Sequence, residues 1–75
     1  MKTKVVFFQT MPSGYGHKLI TIELENGERL SAITNDMHLT DQLQSDDDNT
    51  VIDAKKRLSE LVLSKYSFND LEIEF

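Results

Sequence analysis

An α+β domain is the fold class that this sequence predicts: a mostly antiparallel four-stranded sheet with one long amphipathic helix packed on one face. Three observations predict it. Residues 18–34 (KLITIELENGERLSAIT) read as a β-hairpin, residues 51–66 carry one clear helical period, and residues 4–10 and 71–75 read as strands near the two ends. The expected order is β-β-β-(short α)-α-β, forming a single domain over residues 1–75.

Residues 4–10 (KVVFFQT) are rich in β-branched and aromatic side chains and read as the first strand. Simple alternation puts Val5 and Phe7 on one face and Val6 and Phe8 on the other. With apolar residues on both faces, the strand is expected in the sheet interior. Residues 11–16, with Pro12, Gly14 and Gly16, form a loop into the second strand.

The hairpin that follows suggests its own register. A two-residue Asn26-Gly27 turn would set Glu25 opposite Glu28, and like charges directly opposite are destabilising. A three-residue loop at Glu25, Asn26 and Gly27, with Gly27 left-handed, shifts the pairing by one. Ile22 then faces Leu30, Ile20 faces Ala32, Glu23 faces Arg29 and Thr21 faces Ser31. Apolar meets apolar and opposite charges meet, so the bulged turn is expected. Leu19 and Ile33 share the wet face near the open end, where another element is expected to cover them.

Residues 34–43 suggest a short helix, because Leu39 and Leu43 share a face and Thr34 or Asn35 can cap it; an ordered loop is the alternative. The convincing helix spans residues 51–66. Val51, Ala54, Leu58, Leu61, Val62 and Tyr66 fall in one arc, opposite Asp53, Lys56, Arg57, Glu60 and Ser64. Thr50 followed by Asp53 resembles a capping box. Lys55 lies at the apolar border, where its stem can follow the core edge. Residues 67–70 read as a turn. Residues 71–75 (LEIEF) alternate as a last strand with Leu71, Ile73 and Phe75 inward, and Glu72 and Glu74 protect it as an edge. A right-handed crossover and strand order 3-2-1-4 place the doubly apolar first strand inside.

Composition bounds the function. Seventy-five residues with no cysteine and a net charge of −5 describe a small acidic protein. Such a charge disfavours nonspecific binding to nucleic acid or an anionic membrane. The apolar run at residues 5–8 is too short for a signal peptide. No run approaches the roughly 20 residues that span a bilayer. A cytoplasmic location is expected, and the lack of cysteine agrees with a reducing compartment.

Candidate chemistry is sparse. Asp46, Asp47 and Asp48 form an acidic run, but an EF-hand frame from Asp46 puts Val51 at the glycine position and Arg57 at the glutamate position. The charges more simply favour the positive end of the following helix. The wider segment containing Asp36, Asp41, Asp46, Asp47, Asp48 and Asp53 has six acidic and no basic residues, a spacing that could imitate a phosphate backbone. Lys55, Lys56 and Arg57 point in different directions on a helix and form no basic face. His17 and His38 match no metal motif. The loop with Ser13, Gly14, Tyr15, Gly16 and His17 presents an aromatic ring and an imidazole between glycines, and loops of this kind carry binding residues. Its glycines match no phosphate-binding pattern, and no serine has the context of a nucleophile.

The expected function is a noncatalytic protein-binding or regulatory accessory module, with no cofactor, no metal, and no direct contact with nucleic acid or membrane. Its candidate binding residues are Tyr15, His17, Asp36, Asp41, Asp46, Asp47 and Asp48. The alternative is an acidic inhibitor that mimics nucleic acid and blocks a nuclease or DNA-binding protein. Self-association into a homodimer is also expected, from the small size and from edge strands such as residues 71–75.

Overall fold

The computed structural model describes residues 2–66 and 72–75. Along the chain come strands β1 (Lys2–Pro12), β2 (Lys18–Leu24) and β3 (Arg29–Thr34), helices α1 (Met37–Gln42) and α2 (Asp48–Lys65), and strand β4 (Glu72–Glu74). The sheet order is β3-β2-β1-β4. The first three strands form an antiparallel meander and β4 lies parallel to β1. The expected α+β class and strand order are those observed. The turn expected at residues 67–70, and Leu71, lie outside the described residues.

The second hairpin has the register that charge and apolar pairing predict. Ile22 faces Leu30, Ile20 faces Ala32, Thr21 faces Ser31 and Glu23 faces Arg29. The Leu24 amide donates to the Glu28 carbonyl at 2.8 Å and the Gly27 amide to the Leu24 carbonyl at 2.9 Å. Gly27 has φ +93 with nothing within 4 Å of a built Cβ, so backbone conformation rather than space requires glycine there. The Thr21 and Ser31 hydroxyls hydrogen-bond across the strands at 3.0 Å.

Strand β1 departs from simple alternation. Val5 faces Leu24 and Phe7 faces Glu23, so Val6 is an extra residue in a β-bulge. The bulge exchanges the faces: Thr3 and Val5 point to the core before it, and Phe8 packs against the core after it. Val6 is 53% exposed and Phe7 37%. The expectation that Val5 and Phe7 share one face is therefore corrected. The strand lies inside the sheet, but only one of its faces is covered. On the uncovered face the Arg29 guanidinium lies 5.1 Å from the Phe7 ring centre and 4.0 Å from the Glu23 carboxylate.

Helix α2 lies across the inner face. Leu58 and Val62 are fully buried with Ile20 and Ile22, and Val5, Leu24, Leu63 and Ile73 complete the core. The buried arc is rotated from the expected one. Ser59 and Leu63 are inside, Val51 and Leu61 are half-buried, and Tyr66 is 46% exposed. Tyr66 instead reaches the outer strand, donating its hydroxyl to the Ser31 carbonyl at 2.9 Å. Lys55 holds its ammonium 5.9 Å from the Phe8 ring centre, and Phe8 meets Phe75 edge-on at 6.2 Å. Helix α1 packs Leu39 and Leu43 against the same core.

Two substitutions test this packing. Leu58→Ala is expected to cost about 2–5 kcal/mol in denaturant unfolding, because it leaves a cavity between helix and sheet. Ser59 is fully buried and its hydroxyl has no hydrogen-bond partner among the described residues. Ser59→Ala is expected to stabilise by about 1 kcal/mol by removing that hydroxyl from an apolar site.

Candidate functional site

The sequence pointed to two regions, the glycine-flanked loop and the acidic segment. The structure gives them different roles.

The loop at residues 13–17 is the tight tip of the hairpin that joins β1 to β2. The Ser13 amide donates to the His17 carbonyl and the His17 amide to the Gly14 carbonyl, both at 2.9 Å. Three successive residues are left-handed: Gly14 at φ 83, Tyr15 at φ 53 and Gly16 at φ 78. The two glycines adopt this conformation easily. Tyr15 does not, because its Cβ crowds the following carbonyl at a cost of roughly 1–2 kcal/mol. Tyr15 is also fully exposed, at 102% of its reference area. Its ring therefore gains no burial that would offset the strain. His17 is exposed beside it and serves the turn through its backbone.

Below this tip the uncovered sheet face carries rows of paired side chains. Met11 faces Leu19, and Leu19 faces Ile33. The expectation that another element covers Leu19 and Ile33 is corrected: Ile33 is 52% exposed and Met11 46%, because the helix packs on the other face. The next row is polar, Gln9 with Thr21 and Ser31, and the last is Phe7 with Glu23 and Arg29. A shallow concavity of about 590 Å³ runs from Leu19 and Ile33 over the β3 edge to Tyr66. Sequence reasoning missed Met11 as part of a surface. The signal was present, since Met11, Leu19 and Ile33 occupy one cross-strand row once the register is known.

Two of the six acidic residues are occupied by capping. Asp36 caps α1, its carboxylate accepting from the Leu39 amide at 3.1 Å. Thr34 supports that cap instead of forming it, its hydroxyl accepting from the Asp36 amide. Asp47 caps α2, accepting from the Asn49 amide at 3.1 Å and from the Thr50 hydroxyl at 2.9 Å. The helix thus begins three residues before the expected start, and Thr50 partners Asp47 rather than Asp53. Asp53 pairs with Arg57 at 2.8 Å. Asp48 lies in the first turn of α2, where its charge favours the amide end of the helix. Asp41 and Asp46 are exposed. His38 also faces solvent, on α1, paired with the Gln42 amide at 3.1 Å. No group of three or more histidine, aspartate or glutamate side chains that could hold a metal ion occurs among the described residues. No described helix is long and apolar enough to cross a membrane.

Asp47→Ala is expected to destabilise the fold by about 0.5–2 kcal/mol, read as a lower unfolding midpoint, because two donors lose their acceptor. No family model, curated protein or solved structure matches this chain, so its own geometry carries the functional reading.

Proposed function

We propose that this chain is a noncatalytic module that binds a protein partner through the uncovered sheet face and the tip of its first hairpin. One observation carries the reading: Tyr15 is held fully exposed in a left-handed backbone conformation. Strained, outward-facing residues cluster where a chain makes contact with something else. A tyrosine at a rigid tip offers a large apolar ring with a hydroxyl end and loses little conformational freedom on binding. The Met11, Leu19 and Ile33 row supplies an apolar floor beside it. The partner chemistry that fits is a protein surface with an apolar socket for the ring, a hydrogen-bond partner for its hydroxyl, and a polar rim. A cytoplasmic setting belongs to the same proposal and agrees with the lack of cysteine.

Imitation of nucleic acid fits less well. Asp36 and Asp47 already accept backbone amides of their own helices, leaving Asp41, Asp46 and Asp48 as carboxylates without such a role.

The test is capture of a partner from host cells by the wild-type chain, Tyr15→Asn, and the double variant Asp41→Asn with Asp46→Asn. Asparagine tolerates the left-handed region, so Tyr15→Asn is expected to fold with equal or higher stability, by up to about 1 kcal/mol. It is expected to lose the captured protein, while the aspartate variant keeps it. Retention by Tyr15→Asn, with loss in the aspartate variant and in raised salt, would overturn the proposal in favour of the acidic reading.

A further inference from the structure

We propose that Asn26 is a site of spontaneous covalent modification, in which the Gly27 nitrogen displaces the side-chain amide and water then leaves aspartate or isoaspartate at position 26. The turn that sets the register of β2 and β3 is thereby also the point at which the chain ages.

The reaction needs the following backbone nitrogen to reach the asparagine Cγ. It also needs the charge that develops on Oδ1 to be stabilised. A side chain on the next residue hinders the approach, and Gly27 has none. A Cβ built at Gly27 meets nothing within 4 Å, so no neighbour screens the nitrogen on that side. Asn26 and Gly27 are both exposed to water. The Asn26 Oδ1 accepts from the Glu28 amide at 2.9 Å. That bond closes a ring containing both Cγ and the Gly27 nitrogen, so the side chain is folded toward the atom that attacks it. It also places an N–H donor on the oxygen where charge develops, as in sites that stabilise tetrahedral intermediates.

One contact opposes the attack. The Gly27 amide donates to the Leu24 carbonyl at 2.9 Å and must leave it first. An exposed turn opens locally without unfolding of the core, so this bond gates the rate without abolishing the reaction.

The atoms balance with water as the only co-reactant. The Gly27 nitrogen bonds to Cγ, the Cγ–Nδ2 bond breaks, and ammonia leaves with the proton from Gly27. Water then opens the cyclic imide, its hydroxyl adding to a ring carbonyl and its hydrogen returning to nitrogen. Cleavage at Cγ restores the normal backbone with aspartate. Cleavage at the main-chain carbonyl routes the backbone through the side chain as isoaspartate.

The other described asparagines lack this arrangement. Asn49 lies in α2 before the β-branched Thr50. Asn35 precedes Asp36, whose amide donates to the Thr34 hydroxyl at 3.1 Å. The consequence is structural, because isoaspartate adds a main-chain atom inside the loop that the Leu24, Gly27 and Glu28 bonds close. Strand β2 carries Ile20 and Ile22 into the core, so a loosened turn lowers the stability of the whole fold.

The experiment incubates the folded wild type in mildly alkaline buffer for weeks and maps its peptides by mass spectrometry. Asn26 is expected to convert first, with isoaspartate among the products, while Asn35 and Asn49 stay intact. The rate is expected to rise with pH, because the attacking nitrogen must lose its proton. It is expected to stay level in guanidinium chloride below the unfolding transition, since local opening exposes little surface. The isolated isoaspartate form is expected to unfold at a lower denaturant midpoint than the wild type. Persistence of intact Asn26, or earlier conversion of Asn35 or Asn49, would overturn the proposal. A rate that climbs with denaturant in step with global unfolding would also overturn it, because the reaction would then belong to the unfolded chain. The Tyr15-dependent capture is a separate readout, so either can fail without the other.

Discussion

A single helix can bury only one face of a four-stranded sheet, and the rest of this molecule follows from that limit. Strand β1 carries four consecutive large apolar residues, Val5, Val6, Phe7 and Phe8, and strict alternation would divide them equally between the faces. The bulge at Val6 allows Val5 and Phe8 both to turn inward. It does so at the cost of exposing Val6 and Phe7 on the uncovered side, where Arg29 spreads over the Phe7 ring. The composition of the core beneath β1 thus traces to one inserted residue.

The two hairpins show how the same backbone conformation serves opposite ends. At Gly27 a left-handed residue closes a bulged turn, and glycine adopts it with little strain. At Tyr15 the same region of backbone space holds an aromatic residue whose side chain touches nothing that would compensate. The flanking glycines carry part of the turn, but they do not explain the tyrosine. Stability alone would place glycine or asparagine there, which is the ground on which the tip is proposed as a contact point.

The carboxylates illustrate a competition between local and global roles. A helix leaves its first amides without internal partners, and an aspartate just before it is among the best acceptors for them. Asp36 and Asp47 take that role at the starts of the two helices. What looks in the sequence like one acidic patch is therefore partly two helix caps and a first-turn charge. Tyr66 makes a comparable commitment, leaving the core arc to satisfy the backbone of an edge strand.

Local chemistry accounts for most of what the sequence by itself determined. The Glu25, Asn26 and Gly27 turn and its cross-strand partners could be read because charge pairing and apolar pairing agree on one register. The α2 period could be read because burial on one side repeats at fixed spacing, although the buried arc is rotated toward Ser59 and Leu63. In β4, Ile73 is inward as expected, but Phe75, also expected inward, is 44% exposed. The tertiary structure alone decided where β1 changes face, which aspartates cap, and which sheet surface stays bare. Each of these depends on a neighbour distant in sequence: the Leu24 and Glu23 partners that displace Val6, the position at which the core lets α2 begin, and a helix that can lie on only one side. Periodicity reports that a residue prefers burial, but it does not report how much cover the rest of the chain can supply.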